Sequence, residues 1–84
     1  MYGWIIDTDF CYGPHDLSTA GKAGPMNGLD VKEGEGEEFE LYDDDKNLMA
    51  TGRIVGDYDG FEPLDDFGIG WYGATGIKYG GKWL

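Results

Sequence analysis

The chain has 84 residues, with 17 Asp and Glu against six Lys and Arg, which gives a formal net charge of -11 at pH 7. Such a charge argues against direct binding to DNA, RNA or anionic lipid, because contacts to phosphate need cations. The length leaves room for one domain, residues 1–84, with a small core, since a chain of this size buries only about 60% of its unfolded surface on folding.

The composition favours strands. Three Trp, six Tyr and four Phe supply large buried areas and prefer pleated sheets. Sixteen glycines argue against long helices, because each costs roughly 1 kcal/mol relative to alanine in a helix interior. We therefore predict a mainly β fold, all-β or α+β. About four or five strands would form a small antiparallel or barrel-like sheet, with a long Gly/Pro-rich loop and at most one short helical turn.

The first part of the chain begins with a short strand and continues into loops. Residues 2–6 are apolar and β-prone, and we predict that they form the first strand. Residues 11–30 contain two Gly-Pro pairs and an Asn-Gly pair, which predict a long loop, in which Asp16 or Ser18 could cap one helical turn. Residues 31–38 carry alternating Gly and Glu, which is typical of a flexible, solvated connection.

The clearest element is a β-hairpin in the middle of the chain. Apolar residues alternate in residues 39–42, and residues 48–55 form a second extended run rich in β-branched side chains. Residues 43–47, with the sequence DDDKN, suit the turn between them, because Asp and Asn tolerate left-handed backbone and bond their own main chain. We expect the turn to be exposed and the strands to pair antiparallel.

The last third of the chain is predicted to be a loop followed by two strands. Residues 56–68 are dense in carboxylates but contain four large apolar side chains, so we predict an ordered loop pinned to the core. Residues 69–79 and 82–84 read as strands. Gly80-Gly81 between them suits a tight two-residue turn, which makes the final strand a short edge.

Candidate catalytic and metal sites are weak in this sequence. Cys11 and His15 lack an orienting group and an oxyanion site, and one Cys with one His is too few for zinc. An EF-hand is excluded, because Leu48 and Ile54 stand where the loop needs Gly and Glu. A looser calcium site remains open, built from Asp57, Asp59, Asp65 and Asp66. We predict a protein without enzymatic activity or cofactor.

The carboxylates occur in local groups that can reproduce the phosphate spacing of nucleic acid. A folded protein that presents them could occupy the basic channel of a nucleic-acid-binding protein or complex. The residues predicted to bind the partner are Asp43, Asp44, Asp45, Asp57, Asp59, Glu62, Asp65 and Asp66. Glu33, Glu35, Glu37 and Glu38 form a further acidic group.

The run FELYDDD followed by GRIVGDYDGFEPLDDFG resembles a run found in short proteins of mobile elements, and this likeness lies within residues 39–68. In size and charge the chain resembles the small acidic inhibitors that phages and plasmids carry against host defence, the anti-CRISPR and antirestriction proteins. The resemblance implies a non-enzymatic inhibitor, most specifically an anti-CRISPR protein that blocks a CRISPR effector by DNA or RNA mimicry. Since anti-CRISPR proteins share no common fold, no functional residue is carried over.

A second class of function also fits the sequence. The acids could serve solubility, while an aromatic surface including Tyr12, Trp71 and Tyr72 forms the contact of a general interaction or structural module. The single cysteine and the absence of a signal-peptide pattern favour a cytoplasmic protein, which for an inhibitor means the host cell.

Overall fold

A computed structural model describes residues 1–10 and 21–84. Within these residues one antiparallel sheet of six strands has the order β2-β1-β4-β3-β5-β6. The strands are β1 (Tyr2–Asp9), β2 (Ala23–Gly24), β3 (Glu37–Tyr42), β4 (Leu48–Gly56), β5 (Gly76–Tyr79) and β6 (Lys82–Trp83). The mainly β class and the antiparallel sheet are therefore confirmed. The described part has more strands than predicted, because two-residue β2 forms within the region predicted as a long loop.

The central hairpin is confirmed. β3 and β4 pair antiparallel, with Phe39 opposite Gly52 and Leu41 opposite Ala50. Residues 44–47 of the turn are exposed. The left-handed residue is Lys46, with φ of 63°, and no Asp or Asn of the turn takes this conformation. The register follows from the apolar alternation, because a slip by one residue would turn every buried side chain of β3 to solvent.

The sheet has two unlike faces. One face, here called the covered face, carries the buried side chains of the core, which are Trp4, Ile6, Phe39, Leu41, Ala50, Ile54 and Ile77. Leu64, Phe67 and Ala74 complete this core from the segment that crosses it. The opposite face, here called the open face, carries the intervening residues of the same strands and mixes charged side chains with apolar ones such as Ile5 and Val55. It includes Arg53 of β4, which lies opposite Glu38 of β3.

A helical segment packs on the covered face, and here the strand predicted for residues 69–79 is partly wrong. Leu64–Gly68 is a π-helix, and the α-helix α1 (Ile69–Tyr72) follows it directly. Leu64 and Phe67 are both buried, which is the spacing of one helical turn, and the Phe67 ring lies 5.3 Å from that of Trp4. Gly73 ends the helix with φ of 67°. Only Gly76–Tyr79 of the predicted strand is extended.

The two ends of the chain agree with the sequence in outline. β1 is longer than predicted and continues to Asp9 past an irregularity between Ile6 and Thr8. Gly80 and Gly81 have φ values of 58° and 80° and form the tight turn into the short edge strand β6. Cys11, His15 and the helical turn after Asp16 or Ser18 lie outside the described residues. None of the helices described here is long and apolar enough to cross a membrane.

Candidate functional site

The eight acids predicted to bind a partner do not form one cluster, because the fold distributes them. The turn with Asp43, Asp44 and Asp45 lies at one end of β3 and β4, while Asp57 follows the other end of β4. The nine residues of β4 are joined by eight steps of about 3.3 Å each, so its two ends lie about 26 Å apart. The remaining acids lead into the helical segment or lie on it.

Asp43 shapes the turn in which it lies. Its Oδ1 accepts hydrogen bonds from the backbone N–H groups of Asp45 and Asn47, at 2.9 and 2.8 Å, and its Oδ2 accepts one from the Asn47 side chain at 3.2 Å. The Asn47 N–H is the main reason why the pKa of Asp43 is lowered. The Asp43 carboxylate therefore orders the turn and stays ionised, while the carboxylates of Asp44 and Asp45 accept no hydrogen bond from the described residues.

Glu62 has a similar role before the helical segment. Its two carboxylate oxygens accept the N–H groups of Asp59 and Gly60 at 2.8 and 2.7 Å. Burial works against ionisation, but these backbone donors outweigh it and lower the pKa of Glu62. The Asp59-x-x-Glu62 spacing is that of a capping box, a signal for a helix start that the sequence contains.

Asp66 joins the helical segment to the first strand. Its Oδ2 accepts the Tyr2 hydroxyl at 2.6 Å and the Trp4 indole N–H at 3.0 Å. Trp4 is 3% exposed, so its N–H depends on this acceptor. Asp66 therefore stabilises the packing of the helical segment on β1.

This arrangement predicts different effects for two adjacent acids. Asp66→Ala should lower the free energy of unfolding by about 2 kcal/mol, because the Trp4 N–H and the Tyr2 hydroxyl lose their acceptor. Chemical denaturation followed by tryptophan fluorescence measures this change.

Asp65→Ala is the matched control, because Asp65 lies in the same turn, so that helix propensity and dipole effects are the same for both variants. Its side chain is exposed and has no hydrogen-bond partner among the described residues, so the change should stay within about 0.5 kcal/mol. Equal losses in the two variants would contradict the role of Asp66.

Five of the eight acids are therefore available to a partner. Four of them, at positions 44, 45, 59 and 65, accept no hydrogen bond from the residues described. Asp57 is fully exposed and lies 4.0 Å from the amino group of Met1. Since three other acids order these turns and the helical segment, the backbone that carries the five carboxylates is held in place, and of these five only Asp57 has an ion-pair partner in the described part of the chain.

The calcium site left open by the sequence does not assemble among residues 1–10 and 21–84. No group of three or more potential metal ligands comes together in this part of the chain. Of the four acids considered, Asp66 is already bonded to Tyr2 and Trp4.

The acidic connection before β3 is held in place, so the expectation that residues 31–38 are flexible is wrong. Arg53 donates through Nη1 to the carbonyl oxygens of Lys32 and Glu35 at 2.7 and 2.9 Å. Its Nε and Nη2 donate to the two oxygens of Asp7, each at 2.8 Å. We call this set of contacts the Arg53 clamp. Glu37 is also held, because it accepts the Tyr58 hydroxyl at 2.6 Å.

The open face contains an aromatic and charged group that the sequence did not single out. The Tyr42 and Trp83 rings meet edge to face at 5.0 Å, and the Lys78 Nζ lies 5.0 Å from the first ring and 4.5 Å from the second. Gly76 makes room for this group, since a Cβ there would lie 2.7 Å from the Trp83 ring. Tyr12 lies outside the described residues, and the structure describes the backbone of Trp71 and Tyr72 only.

Several tyrosines have raised pKa values, which predicts a loss of stability in alkali. The hydrogen bond to Asp66 raises the pKa of Tyr2 to about 12, and the bond to Glu37 does the same for Tyr58. Burial raises the pKa of Tyr79. A raised folded-state pKa means that the stabilisation is complete below pH 10 and is lost as the pH approaches about 12.

The expected result is a free energy of unfolding that declines between pH 10 and about 12, with tyrosinate absorbance rising late over the same range. Tyr2→Phe removes one of these groups and should flatten part of the decline. Ionisation of all tyrosines near pH 10 in the folded protein would contradict these contacts.

No protein-family model, curated protein or solved structure matches this chain. Its function is therefore inferred from its own residues and their geometry.

Proposed function

We propose that this protein is a non-enzymatic acidic inhibitor that occupies the basic nucleic-acid-binding surface of another protein or complex. The partner we propose is a CRISPR effector of the host cell, blocked by mimicry of DNA or RNA in the cytoplasm. The observation that carries the proposal is the set of exposed carboxylates at positions 44, 45, 57, 59 and 65, of which the first four lie in the turns and Asp65 lies on the helical segment.

The charge balance supports this proposal. All six Lys and Arg lie in the described part of the chain, together with every acid except Asp16. Arg53 and Lys78 are among the cations engaged within the molecule, since Arg53 binds Asp7 and Lys78 lies over aromatic rings. The surface therefore offers a partner an excess of negative charge, which is complementary to a channel that binds phosphates.

The separation of the carboxylates also supports it. The two ends of β4 are about 26 Å apart, and each DNA strand places one phosphate per 3.4 Å of helix axis. Acids at both ends of the sheet thus span the length of about eight base pairs. Fixed acids lose less entropy on binding than acids on a flexible tail, because their positions are set before the encounter.

The test is competition with nucleic acid for purified CRISPR effector complexes. Each effector is loaded with guide RNA and labelled target DNA, and displacement is measured at about 50 and 200 mM salt. We expect displacement that weakens at least about tenfold at the higher salt, since docking by opposite charges is screened. Binding that is independent of salt, or no displacement from any effector, would contradict the proposal.

A further inference from the structure

A groove of about 480 Å³ lies on the open face, apart from the free carboxylates of the turns and of the helical segment. The charged side chains along it are Asp7, Glu38, Glu40 and Lys78, and Gly80 and Gly81 form one of its ends. Phe39 and Gly52 line its floor with their main chain, because the Phe39 side chain is buried on the covered face. Because Asp7 is paired with Arg53, the groove offers the carboxylates of Glu38 and Glu40 against the Lys78 ammonium, which leaves it with a small excess of negative charge.

The groove adjoins a place that already holds a cation. The Lys78 ammonium lies over the Tyr42 and Trp83 rings at 5.0 and 4.5 Å, within the range of a favourable cation–π contact. Glu40, which lies opposite Lys78 in the sheet, accepts the Tyr42 hydroxyl at 3.1 Å and so orients that ring. Trp83 is 47% exposed, so that one side of this group remains open to solvent.

Glu38 and Glu40 stand on the same side of β3, two residues apart. This spacing places their Cα atoms about 7 Å apart, which matches the spacing of alternate residues in an extended peptide. Glu38 has no hydrogen-bond partner among the described residues, whereas the Asp7 carboxylate is bound to Arg53. Two charged acceptors and an aromatic surface therefore line one path across the open face.

We propose that this groove binds an extended, arginine-bearing segment of the partner protein. One guanidinium takes the place of the Lys78 ammonium against Tyr42 and Trp83, and Glu38 and Glu40 receive the positive charges beside it. Arginine fits better than lysine, because its planar group stacks on rings and donates two parallel hydrogen bonds to a carboxylate. The inference rests on the proposed function, since it names the chemistry by which that partner is held.

The probe is a fluorescein-labelled peptide with the sequence Gly-Arg-Gly-Arg-Gly, with lysine and alanine versions for comparison. Anisotropy measures its affinity, and amide chemical shifts locate it. We expect shifts at Glu38, Glu40 and Gly81, and tighter binding of the arginine peptide than of the lysine peptide. Glu38→Gln with Glu40→Gln should weaken binding about tenfold, while Lys78→Met should strengthen it severalfold by removing the competing ammonium.

The matched control is Asp44→Asn with Asp45→Asn, which removes the same charge at the end of the sheet and should change peptide affinity less than about twofold. If the Glu38/Glu40 and Asp44/Asp45 double variants lose the same amount of peptide affinity, the groove is not the binding site. Weaker peptide binding by Lys78→Met, or no binding of the peptide to the unchanged protein, would also contradict the proposal. If Glu38→Gln with Glu40→Gln loses peptide binding but displaces nucleic acid from the effector as well as the unchanged protein does, this inference alone is rejected. Peptide binding without displacement from any effector rejects the proposed function.

Discussion

Replacing Asp44 and Asp45 with lysine should weaken binding to the CRISPR effector by at least about 100-fold, or roughly 2.8 kcal/mol. Both carboxylates are exposed on an ordered turn, so each reversal sets a cation against the basic channel. Asp43 is left unchanged, because its carboxylate holds the turn together. The measurement is the displacement of labelled target DNA, and the dependence of affinity on salt should also become shallower, by about one unit of slope per lost contact.

The same variant should fold at least as well as the unchanged protein. Exposed charges contribute little to folding, and fewer acids repel one another after the reversal. Asp30→Lys with Glu33→Lys is the control, because it makes the same change in net charge at exposed acids outside the predicted set. If the Asp44/Asp45 and Asp30/Glu33 double variants weaken binding equally, affinity depends on net charge alone, and the position of the hairpin turn has no role.

Phe39→Ala should cost about 3–5 kcal/mol of stability, which is among the largest effects expected from a single truncation in this core. Phe39 is 1% exposed, lies opposite Gly52 in the sheet and packs near Tyr79 at 6.2 Å between ring centres. A domain of this size has about 4–13 kcal/mol of stability in total, so that the variant loses roughly a quarter of it or more. Urea denaturation measures the loss.

Phe61→Ala is the matched control for this experiment. It removes the same side chain from a position that is 44% exposed, so the expected cost is below about 1 kcal/mol. Gly52→Ala tests the same part of the core from the neighbouring strand, since an added Cβ would lie 2.5 Å from the Phe39 ring and 2.1 Å from the Ile5 carbonyl oxygen. A Gly52→Ala protein as stable as the unchanged one would contradict this packing.

The hairpin was predictable because its signals are local. Alternating apolar residues set the register of β3, and the turn chemistry of residues 43–47 agrees with it. The helix was missed because Ile69 and the aromatic residues after it favour strands when taken alone. Two local signals pointed the other way, the Asp59-x-x-Glu62 spacing and the left-handed Gly73. The segment is helical because a helix buries both Leu64 and Phe67 against the covered face.

The division of the acids into structural and free groups was not predictable from the sequence. Asp65 and Asp66 are neighbours with the same chemistry, yet only Asp66 meets Tyr2 and Trp4, which are more than 60 residues away in the chain. The Arg53 clamp is likewise a product of the fold, because it joins residues 18 to 46 positions apart. Such contacts depend on which strands become neighbours, and no local pattern encodes that.

The Arg53 clamp also bears on how this surface can change over evolution. Arg53 holds the connection by the carbonyl oxygens of Lys32 and Glu35, which every amino acid possesses. Side chains at positions 32, 33 and 35 can therefore be exchanged without releasing the loop, whereas Gly34 and Gly36 are constrained by φ values of 74° and 102°. Selection for a new partner can therefore replace the exposed side chains of this loop while its backbone conformation stays the same.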